Sequence, residues 1–230
     1  MTLLYVGSLF SGIGGIELGL HRAGGFRTRW FVEQDAFARA ILARHFPNVP
    51  IFTDVRTINW RRLPRVDILT GGFPCQDASI ANTKGKGVSG PRTGLWRCFR
   101  DAIRDLRPRY ALIENVSNLR HRGLDRVLCD LAALGYDAEW CCLSAASLGA
   151  PHRRPRLFLL AYPHGTVMEG INPQHSASPR ILAPSLSPSL MGEWQHELPA
   201  PALVGVGNGI PHRVDRTRCV GNASHRPSRN

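Results

Sequence analysis

VDILTGGFPCQD, residues 66–77, is an apolar run (Val66-Asp67-Ile68-Leu69-Thr70), then two glycines, then Phe73-Pro74 and one cysteine, Cys75. A short apolar stretch bounded by glycine and proline predicts a strand buried on both faces. Cys75 would then stand at the carboxyl end of that strand, where ligands bind in open parallel sheets. Pro74 fixes its own backbone dihedral and stiffens the approach. A thiolate is intrinsically nucleophilic, and its pKa falls near positive charge or a helix start. A nucleophile needs such a setting; a packed strand-end cysteine is the alternative.

On either side of this stretch, strands alternate with helices. Residues 3–9, 29–33, 110–113, 137–143 and 157–161 read as strands. Helical periodicity opens at Ile16, Leu18 and Leu20 and recurs over 36–45, 95–106 and 124–134. Such alternation predicts an α/β fold with a mostly parallel sheet and helices on both faces. The pattern fails after residue 162, where prolines and serines accumulate (PQHSASPRILAPSLSPSL) and predict weakly structured chain.

The chain has 230 residues, enough for one sizeable core. No apolar run approaches the ~18 residues of a membrane span. The N-terminus, MTLLYVGSLFSG, has no basic n-region and enters a strand pattern at once, so the expected location is the cytoplasm. None of the six cysteines forms a C-x-x-C pair, none has histidine at zinc-ligand spacing, and their irregular placement argues against a disulfide framework; reduced thiols and no metal are expected. The net charge of +12 points to a polyanionic partner, most simply nucleic acid, although a bias toward arginine also raises it.

SLFSGIGGIELGL, residues 8–20, follows a strand and begins a helix. Its glycines, Gly12, Gly14 and Gly15, miss the dinucleotide fingerprint, and the lysine of a P-loop is absent. Glu33, at the tip of the second strand, can bind ribose hydroxyls, and Asp54, in FTDVR, can accept from an adenine amino group. The set suits an adenosine-containing cofactor without a pyrophosphate; a plain strand-to-helix turn is the alternative. YALIENVSNL places Glu114 and Asn115 at another strand end, where a buried acid can hold a raised pKa or serve as an ion-pair partner. LGAPHRRPRLFLLA places Arg154 and Arg156 two apart before a strand, on one side of an extended chain, suited to a carbonyl, carboxylate or phosphate, or to a general basic surface. The loop ASIANTKGKGVSGPRTGLW carries Lys84, Lys86 and Arg92, which can meet phosphates; a disordered surface loop is the alternative.

Taken in order, the F-x-G-x-G start at Phe10, Glu33, Pro74-Cys75-Gln76, Glu114-Asn115-Val116 and Arg154-x-Arg156 resemble the DNA (cytosine-5)-methyltransferase family over residues 4–162. RVDRTRCVGNA resembles the family's last motif. The resemblance implies a Rossmann-like S-adenosylmethionine-dependent fold. It implies Phe10 stacked near the adenine, Gly12 and Gly14 admitting the methionine part, Glu33 on the ribose and Asp54 on the adenine amino group. Ile13, Gln34, Val55, Pro74, Leu95 and Asn222 would complete the cofactor site. Gln76, Asn115, Lys84, Lys86 and Arg92 would bind substrate.

It further implies the chemistry of C5 methylation in double-stranded DNA. The Cys75 thiolate adds to C6 of cytosine and makes C5 enamine-like. Glu114 holds N3 and the exocyclic amine, and Arg156, helped by Arg154, binds O2. A ring inside a duplex is out of reach, so the base is flipped out. The expected partners are double-stranded DNA and, in a restriction-modification or phage-protection setting, a cognate restriction endonuclease; a membrane is not among them, and a monomer is expected. A DNA-binding remnant without catalysis and a transfer-RNA methyltransferase are the competing expectations.

Two departures stand out. His152 occupies a position where the family carries glutamine, and Ser224 and the sequence SHRPSRN follow Gly221-Asn222-Ala223 where a valine and a closing helix are expected. The expected organisation is a cofactor-binding and catalytic domain over 1–162, a short target-recognition or linker region over 163–206, and an incomplete C-terminal motif segment over 207–230.

Overall fold

The computed structural model describes residues 2–74, 94–150 and 152–166. Cys75, Gln76, Lys84, Lys86, Arg92 and Asn222 lie outside the described residues, as do the expected recognition region and C-terminal segment beyond Thr166. Seven strands form one sheet: β1 (Leu4–Leu9), β2 (Phe26–Val32), β3 (Ile51–Phe52), β4 (Ile68–Gly71), β5 (Tyr110–Val116), β6 (Tyr136–Ser144) and β7 (Pro155–Pro163). The helices are α1 (Gly15–Ala23), α2 (Ala36–His45), α3 (Leu95–Leu106) and α4 (Leu124–Ala133).

Each helix has a local cause. In α3 the apolar positions Trp96, Phe99, Ala102, Ile103 and Leu106 recur at three- and four-residue spacing and are all buried. Asp35 caps α2, its carboxylate accepting from Phe37 N at 2.9 Å and Ala38 N at 3.0 Å. Left-handed Gly14 precedes α1; a Cβ there would stand 2.8 Å from the Phe46 ring and 2.9 Å from Leu42.

The strand order is β3-β2-β1-β4-β5-β7-β6. The pairings β3-β2, β2-β1, β1-β4 and β4-β5 are parallel, as expected for crossovers through helices. β7 differs: it enters between β5 and β6 and runs antiparallel to both. Only residues 145–154 join β6 to β7, too short for a helical crossover, so the chain turns straight back.

The core packs Leu9, Leu69, Phe99, Ile103, Ile113, Leu157 and Leu159 at zero exposure, each side chain contributing about 1.5–3 kcal/mol by burial. β4 is buried on both faces, whereas β5 and β7 alternate buried and half-buried residues. The chain order reverses between β1 and β4: one neighbour of β1 leads to β2 and β3, the other to β4 and β5. A crevice opens at the carboxyl ends of strands at such a switch point.

Candidate functional site

Leu9, the last residue of β1, pairs with Gly71, the last of β4. The turn Phe10–Gly14 and the Gly72-Phe73-Pro74 segment leading to Cys75 therefore leave the sheet side by side. A Cβ on Gly71 would stand 2.2 Å from the Leu9 carbonyl oxygen, so only glycine permits this approach.

The glycine turn is held from β2. Glu33 follows that strand, and its carboxylate accepts from Gly12 N at 2.7 Å and from Asp35 N at 2.8 Å. One acid thus fixes the turn after β1 and the start of α2. Phe10 and Gly12 both have positive φ, 52° and 54°. No heavy atom lies within 4 Å of a Cβ built on Gly12, so the backbone there faces open space. Such a backbone, with a carboxylate beside it, leaves room for a ligand to approach closely.

Around this turn the expected cofactor residues divide. Ile13, Leu95 and Pro74 are half-buried, Gln34 is exposed and Val55 is buried. Asp54 lies just past β3, gripped by Arg56 through Nε at 2.9 Å and Nη2 at 2.8 Å, which holds its carboxyl below the usual carboxylate range. A cavity of about 270 Å³ beside it is lined by Phe52, Asp54, Thr57, Ile58 and Arg62, among others.

Across the crevice, β5 runs to Val116, longer than its apolar run predicts, so Glu114 and Asn115 lie within the strand. β7 begins at Pro155, so Arg156 is also a ladder residue, paired with Val116, while Glu114 pairs with Phe158. Arg156 Nε reaches diagonally to Glu114 Oε1 at 2.9 Å. Burial pushes the Glu114 carboxyl above its ordinary value, against the pull of Arg156 and Arg154. Arg154 has a φ of 33° and precedes the strand, so the two arginines are not in one extended run; both act electrostatically on Glu114 nonetheless.

Two further positions belong here that sequence reasoning passed over or read differently. A Cβ on Gly72 would stand 2.8 Å from Glu114 Oε2, so this glycine makes room for the acid. Asn115 is buried; its Nδ2 donates to the Phe73 carbonyl at 3.0 Å and its Oδ1 accepts from Val116 N at 2.8 Å. Both ends of the amide are engaged inside the protein, tying β5 to the segment before Cys75. The doublet of glycines before Phe73 is the signal for the first; nothing in the sequence distinguishes the second from a ligand-facing amide.

Among the described residues no group of histidine, cysteine and acidic side chains could hold a metal, and no helix is long and apolar enough to cross a membrane.

Known proteins are similar to this chain in sequence and in fold. The chain is 42% identical over 162 residues to the type II methyltransferase M2.BsuMI of Bacillus subtilis (strain 168), covering 67% of this chain and 41% of that protein. It is 32% identical over 167 residues to the orphan methyltransferase M.Rho11sI of Bacillus phage rho11s, covering 70% and 33%. A crystal structure described as a DNA modification methyltransferase encoded within an E. coli prophage superposes with a TM-score of 0.56 at 29% identity, covering 70% of this chain and 47% of that one. The S. pombe Dnmt2 methyltransferase shares the fold, with a TM-score of 0.61 at 23% identity, covering 72% and 52%. The chain spans less than half the length of the two curated relatives. The model of the C-5 cytosine-specific DNA methylase family matches residues 4–194, most of the chain, and the protein belongs to that family.

Proposed function

We propose that this protein transfers a methyl group from S-adenosylmethionine to C5 of cytosine in double-stranded DNA. The observation that carries the reading is the Glu114–Arg156 pair, set beside Gly72 at the carboxyl edge of the sheet, with only β4 between its strand β5 and the strand that leads into the open glycine turn. The names of its relatives support a restriction-modification or phage DNA-protection setting.

S-adenosylmethionine would lie along Phe10–Gly14, with Glu33 toward the ribose and Asp54 toward the adenine. Bound there, it supplies an electrophilic sulfonium methyl. The protein's own work concerns the base. The Cys75 thiolate adds to C6 of an extruded cytosine, and the ring's lost aromaticity leaves C5 enamine-like. Burial pushes the Glu114 carboxyl above its ordinary value, so that, when protonated, it donates to N3 and accepts from the exocyclic amine, and charge does not accumulate on the ring. Arg156, with Arg154, donates to O2. Once C5 has taken the methyl that the cofactor would supply, with the C–S electron pair left on sulfur as a neutral thioether, loss of the C5 proton to water would expel the thiolate and restore the ring. Asn115, through Phe73, holds the segment from which Cys75 acts.

Transfer of labelled methyl to duplex DNA, abolished by Cys75→Ser, tests this. Duplex DNA carrying 5-fluorocytosine should form a covalent adduct with the parent protein, since fluorine cannot leave as the proton does. Folded protein that labels neither duplex DNA nor transfer RNA would overturn the reading; label on transfer RNA alone would redirect it.

A further inference from the structure

α1 turns a carboxyl group inward. Glu17 is 1% exposed, and neither the cofactor turn nor the base needs it directly. Thr70 Oγ1 lies 2.5 Å from Glu17 Oε1 and 3.3 Å from the Gly7 carbonyl oxygen. A hydroxyl has one proton. With the Glu17 carboxyl protonated, Glu17 donates to Thr70 and Thr70 to Gly7, and both contacts are satisfied. Burial does push the Glu17 carboxyl above its ordinary value, against the hydrogen bonds from Thr70 and Ser8 and the charge of His21.

The network continues. Ser8 is hydrogen-bonded to Glu17, and its Oγ lies 2.8 Å from Ser11 Oγ, so Ser8 can donate to the carboxyl while it accepts from Ser11. Ser11 lies within hydrogen-bond distance of Val32 O through both N, at 3.2 Å, and Oγ, at 3.3 Å. Ser8 and Thr70 are fully buried. One end of this chain of contacts is the residue before Gly12; the other is the residue before Gly71-Gly72. A wholly apolar contact would pack these strands as well, but without fixing the turns at either end. Buried polar groups persist where every member is satisfied, and such networks select one arrangement.

We propose that Glu17 is a positioning residue, whose inward carboxyl locks the cofactor turn after β1 to the end of β4, so that the turn that would hold the cofactor keeps its binding shape. The proposal rests on the cofactor reading above. S-adenosylhomocysteine is the probe, followed by calorimetry, with circular dichroism reporting the fold.

The parent protein must bind the probe; failure to bind overturns the cofactor reading itself. Given binding, Glu17→Gln, which keeps hydrogen-bonding ends, should hold its affinity within about twofold, and Glu17→Leu should lose about tenfold while its dichroism is retained. Should Glu17→Leu fail to fold, Ser8→Ala, Thr70→Val and their double variant decide. Their effects on affinity should be non-additive, because each cuts the same chain of contacts. Undiminished affinity in a folded Glu17→Leu protein, or strictly additive effects of the two outer substitutions, would overturn the proposal.

Discussion

Arg156 and Glu114 meet on a diagonal. Their strands are antiparallel neighbours, yet neither is the other's ladder partner, and the guanidinium Nε lies 2.9 Å from Oε1. Both belong to one face of the sheet, the half-buried face of β5 and β7. A guanidinium there serves as countercharge to the acid.

Arg156→Leu should therefore raise the Glu114 pKa further, because the largest lowering influence is gone while burial remains. Carboxyl carbon shifts followed through a pH titration would report it. The same variant should lose about 1–3 kcal/mol of stability at neutral pH, as a charged hydrogen bond is removed. Glu114→Gln should fold and lose about 10²-fold or more in single-turnover methyl transfer.

Gly12 and Gly14 separate binding from folding. Gly14→Ala combines a positive φ with contacts under 3 Å to Phe46 and Leu42, and it should lower the melting temperature clearly. Gly12→Ala meets only the conformational cost of its φ, about 1 kcal/mol, since its space is open. Its methyl would fill the cradle, so affinity for S-adenosylhomocysteine should fall by more than the stability does. Calorimetry beside thermal unfolding distinguishes the two.

Asn115→Ala should leave duplex-DNA affinity nearly unchanged and reduce the rate of methyl transfer. Its amide bridges Phe73 and Val116, so its removal loosens the approach to Cys75. A large loss of DNA affinity with an unchanged rate would return Asn115 to the substrate-binding role that the sequence alone suggests.

Stability should depend on pH through Glu17. Its folded pKa stands above the ordinary value of 4.5, so below pH 4.5 folded and unfolded chains both carry the proton. As pH rises from there, the unfolded chain ionises while the folded one resists, and stability is lost until the folded pKa is passed. Glu17→Gln removes that loss. Its melting temperature relative to the parent should climb between pH 4.5 and neutrality, as read by thermal denaturation across buffers.

Much of this was legible from local sequence. The helix over 95–106 occupies its expected residues because an amphipathic stripe needs no distant information. The acids and arginines were legible as residue types at strand ends. Their strands run further than the apolar runs that announce them, since polar residues at a sheet's functional edge pair in the ladder without an apolar signature. Glu17 was invisible for a related reason: a carboxyl in the first turn of a helix looks like ordinary dipole complement until the partner strand is known.

By itself, the sequence determined the alternation of strands and helices, the cysteine placed after a buried strand, and the order of the motifs, because these follow from short-range periodicity and backbone stereochemistry. Tertiary structure decided which of them meet. β1 and β4 lie together because the chain reverses its winding between them, and β7 brings Arg156 to Glu114 because it inserts antiparallel between β5 and β6. Strand adjacency and register arise from hydrogen bonds between distant segments, and a shift of one residue would turn Glu114 away from Arg156.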